Sequence, residues 1–190
     1  ATVPIQKFPD VVRVYGTPLA PASASSGLAD IPAQKLLLKS TLVDVGVTQV
    51  KVSKSGTLTD GEIADIRLWR DADADGALDV FGDVLVTSQA GRFVGGVATL
   101  PLISAQALPG GATYLMLLSL STTAVVGRSV SLSLQADSLS VDSPSSADYS
   151  NFPIQVPALT VSKPVTALNA AVQSLAPSTT AQGQLNVPML

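Results

Sequence analysis

"RSVSLSLQAD", residues 128–137, decides the fold. In it Val130, Leu132, Leu134 and Ala136 alternate with Ser129, Ser131, Ser133 and Gln135. Successive side chains of a strand point to opposite faces, so a period of two lays the apolar set on a core and turns the hydroxyls to water. A helix would instead bring its apolar residues back every third or fourth position.

Working outward, the same reading recurs in "KLLLKSTLV" (35–43), "VTQVKVSKSG" (47–56), "IADIRLWRD" (63–71), "DVLVTSQ" (83–89), "GGVATLPLI" (95–103) and "TYLMLLSLS" (113–121). Turn-forming clusters separate these runs: "SGTLTDG", "SQAGRF", "ALPGGAT" and "VVGRS". About eight short strands spaced by roughly 10–14 residues predict an all-β fold, an antiparallel, immunoglobulin-like β-sandwich. One segment has helical spacing: "TALNAAVQSLA" (166–176), with Leu168, Ala171, Val172 and Leu175 in register.

The ends differ from the middle. Residues 1–34 and 152–190 are rich in Pro, Ala and Ser and read as extended arms or linkers flanking a sandwich over 35–151. They also resemble each other. "LAPASASSGLADIPA" (19–33) aligns without a gap on "LAPSTTAQGQLNVPM" (175–189), sharing Leu-Ala-Pro, the Gly and the second Pro. "VPIQ" at Val3 matches "FPIQ" at Phe152. Composition alone makes Pro/Ala/Ser-rich linkers look alike, but identities held in register favour repetition. The expectation is one period of an array, or a subunit whose two ends do equivalent work. "VPIQKFPDVVRVYG" (3–16) has the alternation of a donor strand, Val12 and Val14 against Arg13 and Tyr15, suited to a neighbouring copy's open sheet edge.

Composition removes several function classes. The 190 residues are 46% apolar and only 13% charged, with a net charge of −3. Thirteen of the 14 acids are aspartates, Glu62 being the single glutamate, and five of them fall within residues 71–83. The acidity is thus local to one loop, and the scattered Lys and Arg form no basic field, which argues against nucleic-acid partners. With neither His nor Cys, the chain has no Ser-His-Asp triad, no thiol nucleophile and no zinc site of the usual ligand types. The most apolar run, "ATYLMLLSLSTTAVVG", is interrupted by Ser and Thr and falls short of the roughly 20 residues a membrane span needs, so no membrane insertion is expected. The first residues lack the basic start and apolar core of a signal peptide. A start at Ala1 suits a cleaved product and a trimmed chain equally.

The acidic loop is "RDADADGALDVFGD" (70–83). Ca2+ takes six to eight oxygens, and carboxylates at alternate positions of a tight loop converge on one point where glycine permits the turn. Asp71, Asp73 and Asp75 fit as carboxylate ligands, Gly76 as the turn residue and Ala77 as a carbonyl ligand. This half of the loop resembles the D-x-D-x-D-G loop of the EF-hand family. That family closes its loop with an acid at position 12, but Gly82 stands there, so closure falls to Asp79, Asp83 or both. The flanks are strand-like, which predicts a calcium loop on a β-hairpin rather than a helical sensor. The alternative is a solvated acidic turn without an ion. Catalysis is disfavoured. Glycosidase carboxylates face a sugar from opposite sides, about 5–10 Å apart, whereas these acids are sequential. Ser and Lys adjacent in "VSKSG" point to opposite strand faces.

Taken together, residues 35–141 resemble a β-sandwich repeat of large secreted or surface proteins of bacteria, in which a "G-T-x-x-D-x-x-I" segment leads into an aspartate-rich loop. The matching residues run from Gly56, Thr57, Asp60 and Ile63 to Asp83. The resemblance implies an extracellular structural role, with Ca2+ as cofactor and copies of the same chain as partners, in a filament or in tandem repeats. The rival expectation is an adhesin or carbohydrate-binding module. The supply of exposed rings for a glycan is thin, at one Trp, three Tyr and four Phe. Trp69, beside the loop, reads as core rather than as a sugar platform.

Overall fold

The protein is described here by a computed structural model covering residues 8–164. Two sheets enclose one core. The first has the order β13 (Ser146–Asp148), β1 (Val11–Pro18), β3 (Ile31–Lys39), β10 (Ala112–Leu120), β5 (Ile63–Asp71), β6 (Val84–Leu85). The second runs β2 (Ser23–Ser25), β14 (Ile154–Ser162), β11 (Ser129–Leu134), β4 (Val45–Gly56), β8 (Val97–Pro101), β7 (Phe93–Val94). The short strands β9 (Gln106–Ala107) and β12 (Leu139–Val141) also pair with β4.

The expected all-β sandwich is the observed fold, with β11 as its sequence dictates: Val130, Leu132 and Leu134 are buried among residues of both sheets. Burying such side chains stabilises the sandwich by about 1.5–3 kcal/mol each. β10 is the exception to simple alternation. Tyr114, Met116 and Leu118 join the central core, and Leu115 and Leu117, on the opposite face of the strand, are buried as well. In register Leu115 lies between Lys35 and Trp69, whose long side chains flank it on the outer face.

Two expectations are corrected. The described parts of the arms, residues 8–34 and 152–164, are not linkers. β1 pairs antiparallel with β3 over Arg13–Pro18 and parallel with β13, while β14 pairs with β11. Boundaries at 34/35 and 151/152 therefore cut through the sandwich, and the described residues form one continuous two-sheet unit. The reason lies in Val12 and Val14, which are 0% exposed: their alternation fills this chain's own core. The sandwich is also not purely antiparallel, because β1–β13 and β14–β2 are parallel pairs at sheet margins. With fourteen strands among the described residues it exceeds the seven or nine of an immunoglobulin domain. The helical segment 166–176 and the second repeat copy, 175–189, lie outside the described residues, as does "VPIQ" at 3–6. The first repeat copy runs through β2 into β3, and its Gly27 has φ +76°, a conformation glycine adopts freely.

Candidate metal centre

The loop over residues 72–83 joins β5 to β6 at one margin of the first sheet. Its turn uses left-handed backbone at Ala74 (φ 62°) and Gly76 (φ 85°). Gly76 packs beside the Lys35 side chain, and a Cβ there would stand 3.3 Å from Nζ. The loop thus folds back against the outer face of β3.

Among the described residues, Asp71, Asp73 and Asp83 are the acidic set whose carboxylate oxygens converge, all within 4.8 Å of one another. Asp71 is the last residue of β5 and only 3% exposed, and Asp83 stands directly before β6 at 8%. Asp71 Oδ2 accepts the Gly76 amide at 3.1 Å. Its Oδ1 is enclosed and accepts no hydrogen bond. Burial pushes the Asp71 pKa up, the Gly76 and Ala74 amides oppose that, and the carboxylates of Asp73 and Asp83 raise it further. Asp83 ties the two limbs of the loop, its Oδ1 accepting Ala72 N at 3.0 Å and its Oδ2 accepting Asp79 N at 2.9 Å.

The other proposed ligands shape the turn. Asp75 Oδ1 accepts the Ala77 amide at 2.7 Å. Asp79 Oδ1 accepts Phe81 N, and its main-chain carbonyl accepts the amides of Gly82 and Asp83. Of the two closing candidates, the geometry brings Asp83 to Asp71 and Asp73. Asp75 and Asp79 stand outside that group. Phe81, at the loop tip, is 98% exposed.

The proposed assembly residues Val12 and Val14 lie in the core, whereas Tyr15 faces outward. Trp69 is half-buried on β5, and its indole N–H is enclosed without an acceptor. The outer face of the second sheet carries a cleft of about 620 Å3 lined by Ser53, Ser55, Ser131, Ser133 and Gln155, with no aromatic ring.

Sequence reasoning missed two buried acids. Asp10 accepts four amides: Val11 and Thr41 on Oδ1, Leu42 and Val43 on Oδ2, at 2.7–3.1 Å. Burial works against its ionised form, but those amides outweigh it and hold the pKa at about 2. Glu62 receives the Thr59 amide and hydroxyl, the Val125 amide and the Arg128 guanidinium. The Thr59 amide leads in lowering its pKa to about 2, against the cost of burial. The legible signal for Glu62 was "TDGE", Thr followed three residues later by Glu, the spacing of a capping box. Asp10 has no such signal, because all the partners of its carboxylate are main chain.

No family model matches the sequence, and no curated protein does. One solved structure that it matches is described as a CaDoc0917–CaCohA2 complex at pH 5.5, at 14% identity and a TM-score of 0.31, covering 80% of this chain and 99% of that one. A TM-score that low carries no argument about function. No described helix is long and apolar enough to cross a membrane.

Proposed function

We propose that this chain is a non-enzymatic structural module that works outside the cell, braced by Ca2+ at residues 71–83 and joined to copies of itself. The observation that carries the metal is Asp71. An enclosed carboxylate oxygen without a donor costs several kcal/mol as an ion unless a cation neutralises it. Asp73 and Asp83 bring two more negative oxygens to the same point. This all-oxygen donor set, with neither His nor Cys in the chain, suits a hard cation. Asp71, Asp73 and Asp83 would hold Ca2+. Asp75 and Asp79 fold the turn that presents them.

The extracellular placement draws on the resemblance to secreted repeat proteins and on a composition rich in Ser and Thr and poor in charge. Self-association draws on the repeated segment at 19–33 and 175–189. With β1 already seated in its own sheet, joining through this strand means exchange: β1 of one copy takes the equivalent place in the next and keeps the same buried Val12 and Val14 contacts. Calorimetric titration with CaCl2 tests the metal, with one ion bound per chain expected and no binding in Asp71→Asn. Electron microscopy and sedimentation in calcium test the assembly. Regular polymers are expected, and monomers at every concentration would contradict it.

A further inference from the structure

The acidic loop and the edge of the first sheet are one continuous device. Asp83 is followed at once by β6, the edge strand of that sheet, and β6 is only two residues long. It pairs Val84 with Arg70 and Leu85 with Trp69. Its side chains contribute little to holding it, since Val84 is 54% and Leu85 38% exposed. Firm anchorage begins one residue later. Val86 is buried, its amide donates to the Leu68 carbonyl at 3.0 Å, and its own carbonyl accepts Ile103 N at 2.8 Å. Val86 is thereby tied to β5 in the first sheet and to the segment after β8 in the second. What holds β6 on its other side is Asp83, through the Ala72 and Asp79 amides and through its place beside Asp71 and Asp73.

We propose that the cation at Asp71, Asp73 and Asp83 is a latch for this sheet edge, an inference that rests on the metal reading above. With the ion bound, the three carboxylates are drawn together and Asp83 holds β6 in register against β5. Without it the carboxylates repel, Asp83 swings away, and β6 peels from β5 about a hinge at Val86. The Trp69–Asp71 end of β5 then becomes a free edge. Native proteins cover such edges because an open one pairs with any strand it meets, so calcium would set whether the first sheet ends at β6 or is open to another strand.

The test combines two measurements on the same protein. Terbium luminescence, sensitised by Trp69 and displaced by calcium, reports occupancy. Residue-resolved amide exchange, in chelator and in calcium, reports the edge. In chelator, the amides of residues 84–85 and their β5 neighbours 69–70 should exchange far faster than those of the central pair β3–β10. Calcium at a hundred times its Kd should slow them by about a hundredfold, because opening releases the ion. Asp83→Asn in calcium should exchange like wild type in chelator. If terbium binds but protection changes only within 72–82, the latch is wrong and the metal site stands. If terbium does not bind, both fall.

Discussion

Asp10 and Asp71 are both aspartates almost wholly removed from water, and their surroundings are opposite. Asp10 has two amides on each oxygen and a pKa held at about 2. Asp71 has one oxygen without a donor, two carboxylates as neighbours and a raised pKa. A buried carboxylate whose lone pairs are met by main-chain N–H groups is complete and needs no ion. One that faces other carboxylates is incomplete. Burial therefore does not distinguish a structural acid from a ligand, but the identity of its partners does.

That contrast can be broken most forcefully at Asp10. Asp10→Ala strands four amides where the β3–β4 turn meets β1 and should cost about 3 kcal/mol or more in urea unfolding, equally with calcium or chelator. A calcium-dependent loss would erase the distinction. The sign of the pH dependence follows from the depressed pKa. Asp10 and Glu62 stabilise the fold fully only above about pH 5, and their contribution is lost progressively as pH falls toward 2. Unfolding midpoints between pH 5 and pH 2 should drop for wild type and drop less steeply for Asp10→Ala.

At Asp71 the effect should depend on the ion. Asp71→Asn should remove the calcium-linked stabilisation, about 3 kcal/mol at a hundredfold excess over Kd, while leaving the chelated protein as stable as wild type or slightly more so. The variant loses a buried charge that, without the cation, is met only in part by the Gly76 amide. Equal losses in both conditions would make Asp71 a second Asp10.

Much of this organisation was legible. Alternation located β4, β5, β8, β10 and β11, and the aspartate spacing located the loop. The described parts of the arms depart from the linker expectation because periodicity says that a face is buried, not which sheet covers it. Val12 and Val14 looked equally suited to a neighbour's edge and to this chain's own, and β14 was hidden in a Pro-rich stretch. "DVLVTSQ" reads as one strand, yet only Val84–Leu85 belongs to β6, since the residues after it are shared between two sheets. The closing acid was undecided because it depends on the turn at 79–83, where the Asp79 carbonyl accepts the Asp83 amide and swings the Asp83 carboxylate inward. Asp10 was invisible because main-chain partners leave no mark in a sequence.

A third buried polar group sharpens the contrast at smaller scale. Gln34 is 1% exposed, and neither side-chain oxygen nor nitrogen has a partner. It is neutral, so no cation completes it, and it points with Met116 toward the core. Gln34→Met should stabilise the protein by about 1 kcal/mol, by removing an unsatisfied amide at nearly constant volume. A loss of stability would show that this amide is satisfied in solution.

The central claim is that the 71–83 loop is completed by a cation, and a thermal melt of the wild-type protein in CaCl2 and in EGTA tests it most directly. The melting point should be higher in calcium by about 5–10 °C, with the difference absent in Asp71→Asn. Superimposable melts of the wild-type protein in the two conditions would contradict it.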